Sequence, residues 1–355
     1  MKIGIVTPNN LWFCPYVQIY TSVLEEKKIP YDIITWCRDG KDEERCIQYK
    51  KTKIANNPFL KIFSYYSFAS FVKKKIKTNK YDKLIVFTPQ IGIFISSFLK
   101  KYYKGKYIFD YRDLSIEQKP FFKKNFLRLL NNSAVNVISS PGFKKYLPKE
   151  YDYIISHNFD VNAVKKALDN DTQINLSKTG KIDVLTIGGI RDFESNVQVI
   201  NALGNKEGYT VRFVGRGPSA ESLKAHAEKK GAMNVSFLGF YPKEKEKEYI
   251  EECTFVNIFY PRRPSHDTAL SNRFYNSLIY CKPMLTTANT TQGDYAIKYN
   301  IGVALDNCNN LTEVLKVYLD SVDVEHYLEN RKILLNDFLL DYNKWENVIK
   351  DFVKV

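Results

Sequence analysis

The sequence predicts an α/β protein built from parallel sheets that are covered by helices. Residues 183–287 repeat an apolar strand, a sharp polar turn and a helix, and the first half of the chain also alternates strands with helices. Residues 158–182 lose apolar periodicity, which is typical of a connection between domains. We therefore expect two doubly wound, Rossmann-like domains facing a central cleft, for which 355 residues are sufficient.

The predicted domains are residues 1–165 and 166–340, followed by an amphipathic helix over residues 341–355. The first half has predicted helices that include 68–77 and 91–103, and predicted strands near 2–7, 31–36, 83–88, 106–110 and 134–139. The second half has predicted strands near 182–187, 210–214, 234–238, 254–259, 283–287 and 301–305. Such spacing fits right-handed βαβ units.

Helix start and stop signals agree with this pattern. Ser195 begins a capping-box sequence, so a helix should start there. Gly231 follows a charged helix over 219–230, where a left-handed residue is expected. Ser271 is expected to cap a further helix.

The turns after the second-half strands indicate an anion site. They occupy residues 188–191, 215–218, 239–242 and 260–263, and three of the four contain arginine. The carboxyl ends of parallel strands carry the ligand site in folds of this kind. We therefore expect an anionic ligand there.

Net charge is unevenly distributed along the chain. Residues 1–172 hold 30 Lys and Arg against 16 Asp and Glu, whereas residues 173–355 hold 23 of each. The excess clusters at 73–77, 100–106 and 123–124, beside Tyr and Phe. One such cluster is usually a solvated helix face, but together they favour an anionic membrane surface as a partner. Nucleic acid is not expected, because no binding motif accompanies the clusters.

The remaining composition points to a cytoplasmic protein. The six cysteines lie far apart without metal-ligand spacing, which favours reduced, buried thiols. The amino terminus does not resemble a secretory signal. The longest apolar stretch, 84–99, is interrupted and too short to span a bilayer.

Arg273 and Ser271 form the sharpest candidate for chemistry. If Ser271 caps the helix, Arg273 lies in its first turn, where a cation is unfavourable by up to about 1 kcal/mol. A phosphate bound at that helix start would reverse the sign of the interaction. The alternative is an ion pair between Arg273 and a nearby carboxylate such as Asp267.

Arg191 follows the first strand of the second half, two residues after Gly189 in the turn that starts with Gly188. Glycine lets a ligand approach the backbone closely. Arg191 and Arg273 could therefore clamp a diphosphate from two sides. Arg262 and Arg263 could assist, although an exposed loop explains these two better.

In the first half, Asp110, Arg112 and Asp113 follow the predicted strand 106–110. A carboxylate there could accept the proton of an acceptor hydroxyl, and Arg112 could bind an acceptor phosphate. In the structural alternative, Arg112 pairs with one of the two aspartates. No third metal ligand is visible, so we expect no metal. His266, beside Asp267, could contact a donor sugar.

The order of segments 184–188, 213–218, 234–240 and 271–283 resembles the nucleotide-sugar domain of family 4 glycosyltransferases, which have the GT-B fold. The resemblance implies a hexosyltransferase-type enzyme that retains configuration, uses no metal or cofactor, and builds capsular or other polysaccharide on lipid-linked acceptors. It puts Arg191 and Arg273 at the diphosphate, where Gly189 and Ser271 are the further candidates from the turn and the helix start. It also implies that the helix over 341–355 crosses back to the first domain.

The same resemblance places the nucleoside against Gly239, Phe240 and Tyr241, with Asn276 at the ribose. Asn276 stands where the family usually has a glutamate that binds the ribose hydroxyls. The family's partner glutamate falls on Thr268, one residue from Asp267. An amide bonds a diol without charge, so we expect weaker ribose binding. Cys281 replaces a usual glycine, and residues 9–12 replace a glycine-rich loop.

The sequence as a whole favours a glycosyltransferase that moves a sugar from a nucleoside-diphosphate sugar to a lipid-linked glycan, at the inner face of the cell membrane. Two alternatives remain. A non-catalytic nucleotide-sugar-binding subunit would explain Asn276 as a lost function. A sugar-nucleotide epimerase shares the architecture but does not need a basic surface.

Overall fold

A computed structural model describes residues 1–51, 58–169 and 180–354. The chain divides into two compact units: unit 1 consists of Met1–Asn158 and Leu340–Val355, and unit 2 of Phe159–Leu339. The predicted connection over 158–182 includes residues 170–179, which lie outside the described residues.

Unit 1 contains, in its described part, a parallel sheet of seven strands in the order β3-β2-β1-β4-β5-β6-β7. The strands are β1 (Ile3–Val6), β2 (Tyr31–Cys37), β3 (Cys46–Lys50), β4 (Lys83–Phe87), β5 (Tyr107–Tyr111), β6 (Val135–Ile138) and β7 (Ile154–Ile155). The five strands predicted in this half are confirmed. The sequence did not reveal β3 and β7, because β3 is a short, partly exposed edge strand with only two large apolar residues and β7 has two residues.

The helices of unit 1 are α1 (Val17–Glu26), α2 (Pro58–Asn79), α3 (Pro89–Tyr102) and α4 (Pro120–Asn132). The last helix of the chain, α13 (Val324–Phe352), contributes its residues from Leu340 onward to the same unit. Trp345 of this segment is fully buried and donates from Nε1 to the hydroxyl of Tyr20 at 3.2 Å. The apolar face of the terminal helix thus completes the unit 1 core.

Unit 2 has, within the described residues, a parallel sheet of six strands in the order β10-β9-β8-β11-β12-β13. Its strands are β8 (Ile182–Ile187), β9 (Tyr209–Val214), β10 (Val235–Gly239), β11 (Phe255–Ile258), β12 (Met284–Thr287) and β13 (Gly302–Leu305). All six were predicted. The helices are α5 (Val161–Asp169), α6 (Phe193–Leu203), α7 (Ala220–Lys229), α8 (Glu246–Glu252), α9 (Pro264–Thr268), α10 (Asn272–Ile279), α11 (Thr291–Lys298) and α12 (Leu311–Ser321).

Two apolar layers cover the two faces of this sheet. Val184 and Leu185 are consecutive in β8, and they belong to different core clusters because neighbouring strand residues point to opposite faces. Burial on both faces accounts for the nearly continuous apolar composition of these strands.

The predicted helix ends are partly confirmed. Gly231 has a φ of +64° just after α7, as expected. The helix predicted to start at Ser195 begins at Phe193 instead, and Ser195 is buried inside it, so the capping-box prediction is wrong by two residues. The pattern failed because Ser195 is buried inside α6 and does not cap its first turn.

Three further observations concern composition. All six cysteines are free, and five are buried. Among the described residues, we find no helix with the length and apolar character needed to cross a bilayer. The same part of the chain shows no cluster of His, Cys, Asp and Glu that could hold a metal ion.

Candidate functional site

Unit 2 contains a pocket of about 480 Å³ beside the carboxyl ends of β8 and β11. These strands are neighbours at the point where the strand order of the sheet reverses. Seven residues predicted from the sequence line it, and they are Gly189, Arg191, Tyr241, His266, Ser271, Arg273 and Asn276. The structure therefore brings both arginines of the predicted clamp to one pocket.

Two glycines hold the turn at one wall of this pocket. A Cβ on Gly215, whose φ is +134°, would lie 1.9 Å from the carbonyl oxygen of Gly188. A Cβ on Gly217 would lie 2.1 Å from the carbonyl oxygen of Ile190. The hydroxyl of Ser219 also donates to the Arg191 carbonyl at 2.6 Å. Only glycine permits this close approach, which sets the backbone position of the arginine turn.

Arg273 is largely buried, and its guanidinium ties three backbone segments together. It donates to the carbonyl oxygens of Ile187 at 2.5 Å, Gly189 at 2.9 Å and Asn257 at 3.2 Å. A guanidinium has five N–H donors, so two remain for a ligand. The predicted alternative, an ion pair with Asp267, is wrong, because Asp267 pairs with Arg262 at 2.9 Å.

Arg191 differs from Arg273 in its surroundings. Its side chain is exposed and forms no ion pair with any residue in the described ranges. It lines the same pocket as Arg273. A solvated guanidinium of this kind retains its donors for an anion.

The start of α10 forms another wall of the pocket. Ser271 is the N-cap, and its Oγ accepts from the backbone N–H of Phe274 at 3.3 Å, as predicted. The same hydroxyl donates to Gln292 Oε1 at 2.7 Å, and the Ser271 backbone N–H donates to that oxygen at 3.0 Å. The first turn of α10 contains no acidic residue, so the positive helix end is not neutralised from within the helix.

A carboxylate that the sequence did not indicate also lines the pocket. Glu246 Oε1 accepts from the hydroxyl of Tyr241 at 2.9 Å, and Oε2 accepts from Nδ2 of Asn276 at 3.1 Å and from Lys243. Burial, together with the adjacent Glu246, raises the pKa of Tyr241, so its phenol remains a donor. Glu246 lies in a charged run typical of a solvated helix, and no local spacing links it to Asn276.

Three predicted residues do not line the pocket. Phe240 is 68% exposed and lies beneath the guanidinium of Arg216, with 5.2 Å from its ring centre to Cζ. Gly239 ends β10 beside it. Asp267 accepts a hydrogen bond from Arg262. Its neighbour His266 does line the pocket, and its Nδ1 lies 3.0 Å from the carbonyl oxygen of Pro261.

In unit 1, one of the two predicted catalytic aspartates, Asp110, is fully buried. Asp110 Oδ2 accepts from Arg112 at 2.6 Å and from the hydroxyl of Tyr20 at 2.6 Å. Arg112 also donates to the carbonyl oxygen of Ser156 at 3.0 Å. This geometry favours the structural alternative, in which Arg112 pairs with Asp110, over proton transfer by Asp110. Asp113 is exposed and lies outside this pair.

A second polar pair in unit 1, between a buried histidine and a partly exposed aspartate, involves the terminal helix. His157 Nε2 lies 3.2 Å from Asp341 Oδ2. Burial lowers the pKa of His157 below 6.5, although the Asp341 carboxylate opposes this shift. The pair therefore connects the end of the Met1–Asn158 segment to α13 through a mainly neutral imidazole.

No protein-family model matches the chain, and no curated protein sequence matches it. Solved structures do. Sucrose-phosphate synthase from Thermosynechococcus elongatus has a TM-score of 0.69 at 12% identity, covering 99% of this chain and 98% of that one. WaaG, a glycosyltransferase involved in lipopolysaccharide biosynthesis, has 0.63 at 13%, covering 98% and 99%. Anabaena HepE, solved with UDP and glucose, has 0.66 at 11%, covering 99% and 100%. These similarities show that the chain has the GT-B fold.

Proposed function

We propose that the protein is a glycosyltransferase that moves a sugar from a nucleoside-diphosphate sugar to an acceptor hydroxyl. The observation that carries this proposal is the pocket at the strand-order reversal of unit 2, where two arginines and the start of α10 meet. Open α/β sheets bind their ligands at this point. Two guanidinium groups beside a helix start fit a diphosphate.

Arg191 and Arg273 would neutralise the charge that develops on the diphosphate as the bond to the sugar breaks. Arg191 is the more accessible of the two, and Arg273 is held by three carbonyl oxygens, so its position is fixed before a ligand binds. Preorganised donors of this kind stabilise a transition state without reorganisation. The Gly189 backbone and Ser271 would complete this part of the site.

The Glu246 carboxylate gives the pocket a second, chemically distinct end. A carboxylate repels phosphate and accepts hydrogen bonds from hydroxyl groups. Glu246, with Asn276 and Tyr241, would therefore bind the hydroxyls of the nucleoside and orient the donor. Contacts of Gly239 and Phe240 with the base, and of His266 or Asp267 with the sugar, stay predictions.

For the acceptor we propose a lipid-linked glycan, assembled for the cell surface at the inner face of the membrane. The positive charge of the first half supports this, and WaaG acts in lipopolysaccharide biosynthesis. Retention of configuration and independence of metal and cofactor rest on the sequence and its family resemblance. Catalytic roles for Asp110, Arg112 and Asp113 rest only on their position after β5, and the pairing of Arg112 with Asp110 favours a structural role for these two residues.

A non-catalytic nucleotide-sugar-binding subunit is the alternative that Asn276 suggested. The presence of Glu246 beside Asn276 weakens it, because the pocket keeps a carboxylate. An epimerase acts on one ligand and would not require the basic surface.

A panel of nucleotide sugars separates these functions. Thermal melting with UDP-, GDP-, ADP- and dTDP-sugars should reveal one stabilising donor, since a ligand that binds only the native state raises the melting temperature. That donor should then be hydrolysed slowly or transferred. Tight binding without turnover would support the subunit, interconversion of the sugar would support the epimerase, and the absence of any stabilising donor would refute the proposal.

A further inference from the structure

Three helices of unit 1 form one layer against the sheet. The helices α2, α3 and α4 connect β3 to β4, β4 to β5 and β5 to β6, and α3 packs against both of its neighbours. We call this set the basic layer. Its ten cations are Lys61, Lys73, Lys74, Lys75, Lys77, Lys100, Lys101, Lys123, Lys124 and Arg128, and the three helices contain no Asp or Glu.

None of these ten cations forms an ion pair with a residue that the structure describes. A solvated helix face usually alternates the sign of its charges, as the charged helices α7 and α8 of unit 2 do. A layer of one sign repels itself and thereby destabilises the folded state. An anionic surface that covers the layer would remove this cost.

Large aromatic side chains are exposed on the same layer. Phe121 is 82% exposed at the start of α4, and Phe63 is 69% exposed in α2. Ring contacts run across the helices from Tyr66 to Phe94 at 4.7 Å, from Phe94 to Phe122 at 5.8 Å, and from Phe122 to Phe121 at 5.1 Å. The ends of this ridge are Phe121 and Tyr66, which is 51% exposed, and Phe63 is a further exposed ring on α2.

We propose that the basic layer docks on an anionic phospholipid bilayer, with Phe121 and Phe63 entering the interface between headgroups and acyl chains. Nine of the ten cations are lysines, whose flexible stems allow the ammonium to reach the headgroups. Recognition of nucleic acid favours arginine, which binds phosphate and bases bidentately. This inference rests on the proposed function, in which the acceptor is lipid-linked. The basic layer would be the surface that brings the enzyme to that acceptor.

Vesicle flotation tests the proposal. The full chain should bind vesicles of phosphatidylcholine mixed with phosphatidylglycerol, bind pure phosphatidylcholine vesicles poorly, and dissociate at high salt. The variant Lys74→Gln/Lys123→Gln/Lys124→Gln should weaken binding about a hundredfold, since one lysine near a charged membrane contributes about fivefold. The matched control Lys224→Gln/Lys229→Gln/Lys316→Gln removes three exposed charges from unit 2 and should change binding little.

A second pair of variants tests the aromatic ridge. Phe121→Ser should weaken binding more than Met233→Ser, which removes a 92% exposed apolar side chain from unit 2. Equal binding to both vesicle types, equal effects of the two lysine variants, or tighter binding to an oligonucleotide duplex than to vesicles would overturn the proposal. Donor stabilisation by nucleotide sugar should persist in all four variants, so that a failure of membrane docking is distinguished from a failure of the donor site.

Discussion

Arg191 and Arg273 line one pocket, but their removal should have different effects. Loss of Arg273 should lower the stability of the protein, whereas loss of Arg191 should weaken ligand binding. Arg273 forms three hydrogen bonds to backbone carbonyls, and a bond from a charged donor contributes about 1.5 to 3 kcal/mol. In Arg273→Ala, water from the pocket would restore some of the hydrogen bonds to these carbonyl oxygens. The substitution should therefore destabilise unit 2 by about 3 to 5 kcal/mol. For a unit of this size the melting temperature should fall by about 6 to 20 °C.

Arg191→Ala removes an exposed side chain without a partner in the described part of the protein, so stability should change by less than about 0.5 kcal/mol. The variant should instead lose the thermal stabilisation that a nucleoside diphosphate gives to the wild type. The assay is thermal melting of both variants with and without UDP, and then with the other nucleoside diphosphates. Full stabilisation of Arg191→Ala by the ligand, or a native melting temperature for Arg273→Ala, would refute the reasoning.

Three further predictions concern the pocket and the terminal helix. Glu246→Gln should weaken UDP binding about tenfold to a hundredfold in calorimetry, without weakening the binding of inorganic diphosphate. An equal loss of affinity for both ligands would contradict the role of Glu246 at the nucleoside hydroxyls. Gly215→Ala, whose Cβ meets the Gly188 carbonyl, should cost more than about 1 kcal/mol in urea unfolding and more than Gly208→Ala, which has a positive φ but open space. Burial lowers the pKa of His157, so the unfolded chain binds a proton more readily than the folded one. The free energy of unfolding should therefore fall as the pH drops below 6.5. His157→Gln should remove this fall between about pH 7.5 and about pH 5.5.

Much of the fold could be predicted because the signals are local. Every strand predicted in either half is present, since buried parallel strands have nearly continuous apolar runs bounded by turns. Ser271 was recognised because an N-cap depends on residues only three positions away. The strand β3 escaped prediction because an edge strand need not be apolar.

Seven residues of the candidate site were predicted, but its carboxylate was not. The arginine turn and the helix start were visible because both follow predicted strands or caps. Glu246 was not, since it meets Asn276 from a position 30 residues away in a charged run. The environment of Asp110 was also hidden: Tyr20, which donates to it, lies 90 residues away.

The sequence by itself determined which segments become strands and helices, where glycine is required, and that the first half carries the positive charge. These properties depend on neighbours along the chain and on composition. Only the tertiary structure decided which partner each polar group has: carbonyl oxygens for Arg273, Arg112 for Asp110, and a carboxylate from α8 for Asn276. The physical reason is that a hydrogen bond or ion pair forms within about 3 Å, a distance that folding sets between residues remote in the chain.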